Sequence, residues 1–298
     1  MRYVFFGTPR FAAIILGKLI DAGMPPVALV CNPDRPVGRK QIITPPKTKL
    51  LVINNQALGT KIFQPETKDE LVKLNNQLFQ EADFGIVAAY ATIIPKEIIE
   101  KSKLGIIGVH PSLLPKFRGP SPIQSVILAG EKETGVSLFL MDEKVDHGPI
   151  ISSKELVVSS RDNYETLEER LADLASEMLI ETLPKFVKGK EQSPAYRLPA
   201  GQAGQAGLLQ DESQATHTKK FTREDAFVLP EDLAVATSGK SLKKAIEIDK
   251  KIRALNPEPG VWTIQNNKRV KLLKARLIDP KLELTRIQQA GKTPSTLF

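Results

Sequence analysis

Apolar positions in the first half of the chain fall into short unbroken runs separated by amphipathic stretches. Residues 2–6 form one such run, the turn Gly7-Thr8-Pro9 follows, and residues 11–22 show helical spacing. A second apolar run at 26–31 completes the order strand, turn, helix, strand, which marks a parallel α/β sheet. Further strands are predicted at 61–63, 84–89, 105–110, 136–141 and 150–156, and helices at 47–56, 68–81, 95–101, 123–129 and 164–188. Residues 32–46, rich in Pro, Gly and basic side chains, read as a loop.

The pattern changes at residue 189. Residues 189–218 lack clear periodicity and include the repeat Ala200-Gly201-Gln202-Ala203-Gly204-Gln205-Ala206-Gly207, which reads as a flexible linker. Beyond it a helix is predicted at 241–255, a turn at Asn256-Pro257-Glu258-Pro259-Gly260, and strands at 261–265, 269–274 and 282–288. The expected organisation is an α/β domain at 1–188, a linker at 189–218 and a small strand-rich domain at 219–298.

Composition narrows the function classes. A 41% hydrophobic, 26% charged chain can bury a core of ordinary size. The single cysteine, Cys31, cannot form an intramolecular disulfide, and with three histidines beside it a zinc cluster is not expected. The apolar start is interrupted by Pro9, Arg10 and Lys18, so no signal peptide or membrane span is expected there, and a cytoplasmic monomer is the reading. Of the net charge of +8, residues 240–298 carry +9, from 14 Lys/Arg and 5 Asp/Glu. A basic end on a near-neutral body suits either a polyanionic partner or a solvated lysine-rich surface.

Ligands of open parallel sheets bind past the carboxyl ends of the strands. The turns after Phe6, Ala89 and His110 carry neither G-x-G-x-x-G nor G-x-x-x-x-G-K-[ST], which disfavours a dinucleotide or a nucleoside triphosphate. His110 stands where a strand runs into a loop pinned by Pro111 and Pro115, placed for proton transfer near neutrality. Taken alone, such a histidine is more often a satisfied strand-edge group. Asp146 lies in a turn with His147, Gly148 and Pro149, where turn capping is its ordinary role. Together, His110 and Asp146 make a candidate acid–base pair, the carboxylate orienting the imidazole.

The segment His110-Pro111-Ser112-Leu113-Leu114-Pro115 with Arg118-Gly119 and Pro122, followed by Thr134-Gly135-Val136 and by Asp146-x-Gly148, resembles the folate-dependent formyltransferases. The similarity extends to Phe6-Gly7-Thr8-Pro9-x-Phe11-Ala12, to Pro33-Asp34-Arg35-Pro36-Val37-Gly38-Arg39, to Ala89-Tyr90-x-x-Ile93-Ile94-Pro95 and to Ile252-Arg253-Ala254-x-Asn256-Pro257-x-Pro259-Gly260-x-Trp262. The resemblance implies a Rossmann-like catalytic domain followed by an OB-like β-barrel. It implies 10-formyltetrahydrofolate as formyl donor, with Ser112, Leu113, Leu114, Pro115 and Tyr90 bordering its site and no metal. It also implies His110 and Asp146 as the catalytic pair, and the α-amine of methionine on initiator tRNA as acceptor. Arg39, with Arg35 and Lys40, would approach the acceptor stem.

Two departures stand out. The family pattern has Asn two positions before the catalytic histidine, where its amide is understood to bond the formyl oxygen; here that position is Gly108. Losing one such donor typically costs about 10²–10³ in rate. The chain after Lys274 is also shorter than the resemblance leads one to expect, so the barrel is expected to lack strands. The alternatives are formylation of an amino sugar nucleotide, which gives less reason for the basic tail, and a non-catalytic RNA-binding relative marked by Gly108. Trp262 reads as a packed residue of a small core rather than a base-stacking platform, and His147 and His217 as turn or surface residues.

Overall fold

The computed structural model describes residues 1–38, 40–55, 59–192 and 208–297. Its elements, in chain order, begin with β1 (Tyr3–Phe6), α1 (Arg10–Asp21), β2 (Ala28–Val30), β3 (Arg35–Val37), β4 (Ile42–Thr44), α2 (Lys47–Asn54) and β5 (Lys61–Phe63). They continue with α3 (Lys68–Lys73), α4 (Asn75–Leu78), β6 (Phe84–Ala88), α5 (Lys96–Lys101), β7 (Ile106–His110), α6 (Pro122–Ala129), β8 (Glu133–Leu140), β9 (Ile150–Val157) and α7 (Tyr164–Gln192). The last are α8 (Pro230–Thr237), α9 (Leu242–Leu255), β10 (Trp262–Gln265), β11 (Lys268–Ile278), β12 (Lys281–Gln289) and β13 (Ser295–Thr296).

The first compact unit comprises residues Met1–Arg118, Gly135–Leu156 and Glu168–Thr216. Its seven-stranded sheet has the order β5-β2-β1-β6-β7-β8-β9. The pairs from β5 to β7 are parallel, and β8 runs antiparallel to β7. Strands buried on both faces read as continuous apolar runs, which is why Tyr3, Val4, Phe5 and Phe6 are all inaccessible. Phe84 stacks on Tyr3 at 5.4 Å between ring centroids and meets the edge of Phe186 at 6.1 Å; truncating it to Ala would cost about 3–5 kcal/mol. The chain reverses its winding between β1 and β6, so the switch point lies at their carboxyl ends. There Gly7 leaves no room for a side chain, since a Cβ would stand 2.7 Å from both Ala12 Cβ and the Ala88 carbonyl oxygen. The Thr48 hydroxyl bonds the Gly7 carbonyl at 3.0 Å.

Three local expectations change. The loop at 32–46 contains a two-stranded ribbon, β3 paired antiparallel with β4, with Gly38 at φ +72° and Gln41 at φ +49° near its tip. Residues 68–81 form two short helices, α3 and α4, meeting at Leu74. The helix expected to stop at 188 continues to Gln192. The Ala-Gly-Gln repeat lies outside the described residues.

The second unit comprises Gly119–Thr134, Val157–Leu167 and His217–Phe298. It differs from the expected division, because α6 packs on α9 and residues 157–167 group here as well. Helix α9 is amphipathic, burying Ala245, Ile248, Ile252 and Leu255, and Ser241 caps it by accepting from the Lys244 amide. The sheet is a meander of order β10-β11-β12-β13, antiparallel throughout, with register shifts in β11 around Lys274. The expected small β unit is a four-stranded antiparallel sheet among the described residues. Helix α8 was not expected; its Pro230 start and its small side chains blur the apolar period. Trp262 packs as expected: Phe227 lies 4.5 Å from its ring, the Arg269 guanidinium covers it at 4.2 Å, and its Nε1 donates to the Arg223 carbonyl.

Candidate active site at the carboxyl ends of the central strands

His110 ends β7 and is only 5% exposed. Its Nε2 stands 2.8 Å from the Phe117 carbonyl oxygen, and a carbonyl only accepts, so this nitrogen carries a proton. Its Nδ1 stands 3.5 Å from Oδ2 of Asp146. The structure therefore brings the two residues of the expected pair together. Nε2 is thus within hydrogen-bond reach of a carbonyl while Nδ1 faces a carboxylate oxygen. Asp146 adopts φ +49° and Phe117 φ +61°, a left-handed conformation that non-glycine residues seldom hold outside constrained sites.

The stretch from Ser112 to Pro115 is wound tightly beside this pair. The Ser112 hydroxyl donates to the Lys116 carbonyl at 2.6 Å. Ser137, opposite His110 on β8, donates from its hydroxyl to the Ser112 carbonyl at 2.9 Å and accepts from the Leu114 amide at 3.0 Å. Leu114-Pro115 is a cis peptide. Ser112 and Leu114 are buried, whereas Leu113 and Pro115 are half-buried. Gly135 gives Leu113 its seat, because a Cβ there would stand 2.6 Å from Leu113 Cδ2. At the end of the adjacent β6, Ala89 takes φ +49° and Tyr90 packs half-buried on the core beneath, 5.9 Å from the Phe6 ring. Burial raises the Tyr90 hydroxyl above its ordinary pKa.

Gly108 shares the His110 face of β7, two residues earlier, and pairs with Phe139 of β8. A Cβ at Gly108 would stand 2.3 Å from Cε1 and 2.4 Å from Cζ of Phe139. The ring, 2% exposed, fills the space that any side chain at 108 would need. Where the family resemblance implies an amide, this chain has an aromatic wall.

The segment read as linker does structural work here. Gln210 donates from Nε2 to the carbonyls of Asp146 at 3.0 Å and Gly148 at 2.8 Å. The buried Arg118 guanidinium donates to Gln210 Oε1 and grips both carboxylate oxygens of Glu212, at 3.0 and 2.6 Å. Its hydrogen bonds, helped by its charge, hold the Glu212 carboxyl below the usual carboxylate range. His147 is not merely a turn residue: Nδ1 lies 2.5 Å from Asp142 and Nε2 3.5 Å from Glu212. Gly148 is required, since a Cβ would stand 1.8 Å from the Leu140 carbonyl oxygen. His217 is exposed, as expected.

Of the residues expected to meet nucleic acid, Arg35 and Lys40 lie exposed on the β3–β4 ribbon, and Arg39 lies outside the described residues. A cavity of about 690 Å³ lies elsewhere: Asn76, Phe79, Glu100 and Lys103 line it, near the amino ends of β6 and β7. Ligand chemistry in this sheet class belongs to the opposite end, so the cavity is no candidate active site.

An open, mostly parallel α/β sheet with an imidazole and a carboxylate brought together past the end of a central strand has the layout of an α/β enzyme domain. The chain belongs to the formyl transferase family, whose N-terminal domain matches residues 1–183 and whose C-terminal domain matches 242–295, and it is an enzyme that transfers a formyl group. A methionyl-tRNA formyltransferase of Methylococcus capsulatus is 35% identical over 286 residues, covering 94% of this chain and 82% of that protein. Among solved structures, the N-formyltransferase of Helicobacter canadensis, in complex with folinic acid and dTDP-3-aminofucose, has a TM-score of 0.60 at 18% identity, covering 92% of this chain and 87% of that one. HypX of Aquifex aeolicus in complex with tetrahydrofolic acid has a TM-score of 0.63 at 16% identity, covering all of this chain and 46% of that one. At these identities the structures share the fold.

Proposed function

We propose that the chain transfers the formyl group of 10-formyltetrahydrofolate to the α-amino group of methionyl initiator tRNA, supporting translation initiation in the cytoplasm. The observation that carries this reading is His110, buried between the Phe117 carbonyl and the Asp146 carboxylate at the end of β7. Tyr90, Leu113 and Pro115 give adjacent strand ends half-buried apolar surface of the kind a flat pterin needs, beside polar backbone. The attacking amine adds to the formyl carbon and charge develops on the formyl oxygen. His110 donates toward that oxygen from Nε2, exchanging its bond to the Phe117 carbonyl for one to the substrate, while Asp146 faces Nδ1, orients the imidazole and balances its charge. The amine nitrogen must lose a proton and the departing folate nitrogen must gain one. The His110–Asp146 pair, with a water, carries both.

The nucleic-acid partner is supported by the sheet of the second unit. On β11 and β12, Lys274 and Arg286 stand directly opposite each other, with Lys271 exposed nearby. Like charges paired across strands are destabilising by themselves. No ion pair to a carboxylate relieves them among the described residues, so this face suits a polyanion.

The test is formyl transfer from 10-formyltetrahydrofolate to charged initiator tRNA or to an amino sugar nucleotide, with wild-type protein and His110→Ala. Formylated tRNA from the wild type alone, with equal tRNA binding by both proteins, is the expected result. Formylation of the sugar nucleotide would redirect the substrate assignment. Binding of tRNA without any formyl product would make the chain a non-catalytic RNA-binding protein.

A further inference from the structure

We propose that Gln210 and Thr216 are positioning residues that hold the two acceptors of the His110 imidazole, a role that rests on the catalytic reading of His110 and Asp146. Those acceptors, the Phe117 carbonyl and the Asp146 carboxylate, belong to different loops, and both residues sit in left-handed backbone. Such conformations persist only where the surroundings over-determine them. One short segment does this for both.

At Asp146, the Gln210 amide donates to the carbonyls on either side of His147, at 3.0 and 2.8 Å, and fixes the turn that carries the carboxylate. The direction of the amide is unambiguous. Its oxygen receives Arg118 Nε at 3.0 Å and Nη2 at 2.7 Å, so its nitrogen must face the two carbonyls. At Phe117, the Thr216 hydroxyl accepts from the Phe117 amide at 2.8 Å, and the Thr216 carbonyl accepts from the Arg118 amide at 2.9 Å. The Thr216 amide donates to the Pro115 carbonyl at 3.3 Å. Arg118 thus links the two ends of the strap. It is adjacent in sequence to Phe117 and in contact with Gln210. The strap lies 64 residues from Asp146 and 99 from Phe117 along the chain, so no local motif marks it.

Gln210→Glu keeps an oxygen for Arg118 but turns the donor facing the two carbonyls into an acceptor. Thr216→Val removes the hydroxyl from an exposed position, and Thr216→Ser restores it. Three readouts apply to the full-length protein: kcat and KM for 10-formyltetrahydrofolate, the melting temperature, and the ring ¹⁵N–¹H signals of His110. In both Gln210→Glu and Thr216→Val, kcat is expected to fall about 100-fold, the cost of misplacing a reacting group by about 1 Å, with KM nearly unchanged. Thr216→Ser recovers kcat. The His110 ring signals move in the two defective variants and return to their wild-type positions in Thr216→Ser. Folded Gln210→Glu and Thr216→Val with wild-type kcat overturn the proposal, as does a loss of kcat that only tracks the unfolded fraction. If the wild type transfers no formyl group, the catalytic reading fails by itself. The ring signals then decide the strap: His110 unmoved in Gln210→Glu overturns it, and His110 shifted upholds it.

Discussion

Gly108→Asn would place a Cβ where Phe139 already stands. Two ring carbons would lie 2.3 and 2.4 Å away and a third at 3.0 Å, against about 3.5–4.0 Å for carbons in good contact. The ring would have to retreat by about 1 Å or more, and at 2% exposure it has no solvent to retreat into. Overpacking of a filled core costs about 1–3 kcal/mol, and contacts this short belong at the upper end. At about 2–4 °C per kcal/mol for a domain of this size, the melting temperature should drop by about 6–12 °C. Phe139→Ala alone leaves a cavity and costs about 3–5 kcal/mol. Combined, the two changes are not additive, because the new amide occupies the vacated space; a coupling of about 2–3 kcal/mol is expected. The same amide, two residues before His110 on its face, adds a donor toward the formyl oxygen, so the double variant should exceed Phe139→Ala in kcat by about 10²–10³. Thermal melts of the four proteins and single-turnover formyl transfer measure both effects. Melting of Gly108→Asn at the wild-type temperature, or strict additivity, would refute the steric argument. A folded double variant no faster than Phe139→Ala would refute the electrostatic one.

Asp146→Asn keeps a side chain that tolerates φ +49° but removes the charge facing His110. It should melt near the wild type while losing about 10²-fold or more in kcat, and unchanged turnover would remove Asp146 from the mechanism. Affinity for initiator tRNA should fall steeply with salt, and replacing Lys271, Lys274 and Arg286 by Ala should flatten the log–log slope by about 2–3 units; an equal slope in the variant would mean that this face is merely solvated. Burial pushes the Cys31 thiol up to about 11. Native protein should therefore react with a disulfide reagent at pH 8 far more slowly than unfolded protein. The corresponding stability is present below the ordinary thiol value of 9.0 and is lost as pH rises toward about 11. Equal thiol reactivity in the two states would contradict the burial.

The proximity of His110 and Asp146 was legible because strand β7 and the prolines after His110 are local signals, and because Asp146 sits in a turn whose residues mark themselves. The buried strands were legible from local signals too: a short unbroken apolar run such as 2–6, closed by a Gly-Thr-Pro turn, marks a strand buried on both faces. What escaped the sequence was everything held by long-range contact. Gln210 and Thr216 stand next to a low-complexity repeat, and nothing nearby distinguishes them from linker. Arg118 belonged to the quoted motif, yet its partners lie more than 90 residues away. Phe139 looked like any strand residue until its register with Gly108 was known. The ribbon β3–β4 was hidden because its strands have three residues each, one contains proline, and all are exposed.

That ribbon has a consequence for how the molecule can be altered. Its strands bury nothing: Val37, Ile42 and Ile43 are 56%, 61% and 62% exposed. An isolated hairpin of this size is marginal in water, so its sequence is constrained by whatever it touches rather than by folding. Exchanging its tip for that of another chain should therefore leave the scaffold's melting curve intact, so selection, or an engineer, can change this ribbon without disturbing the fold.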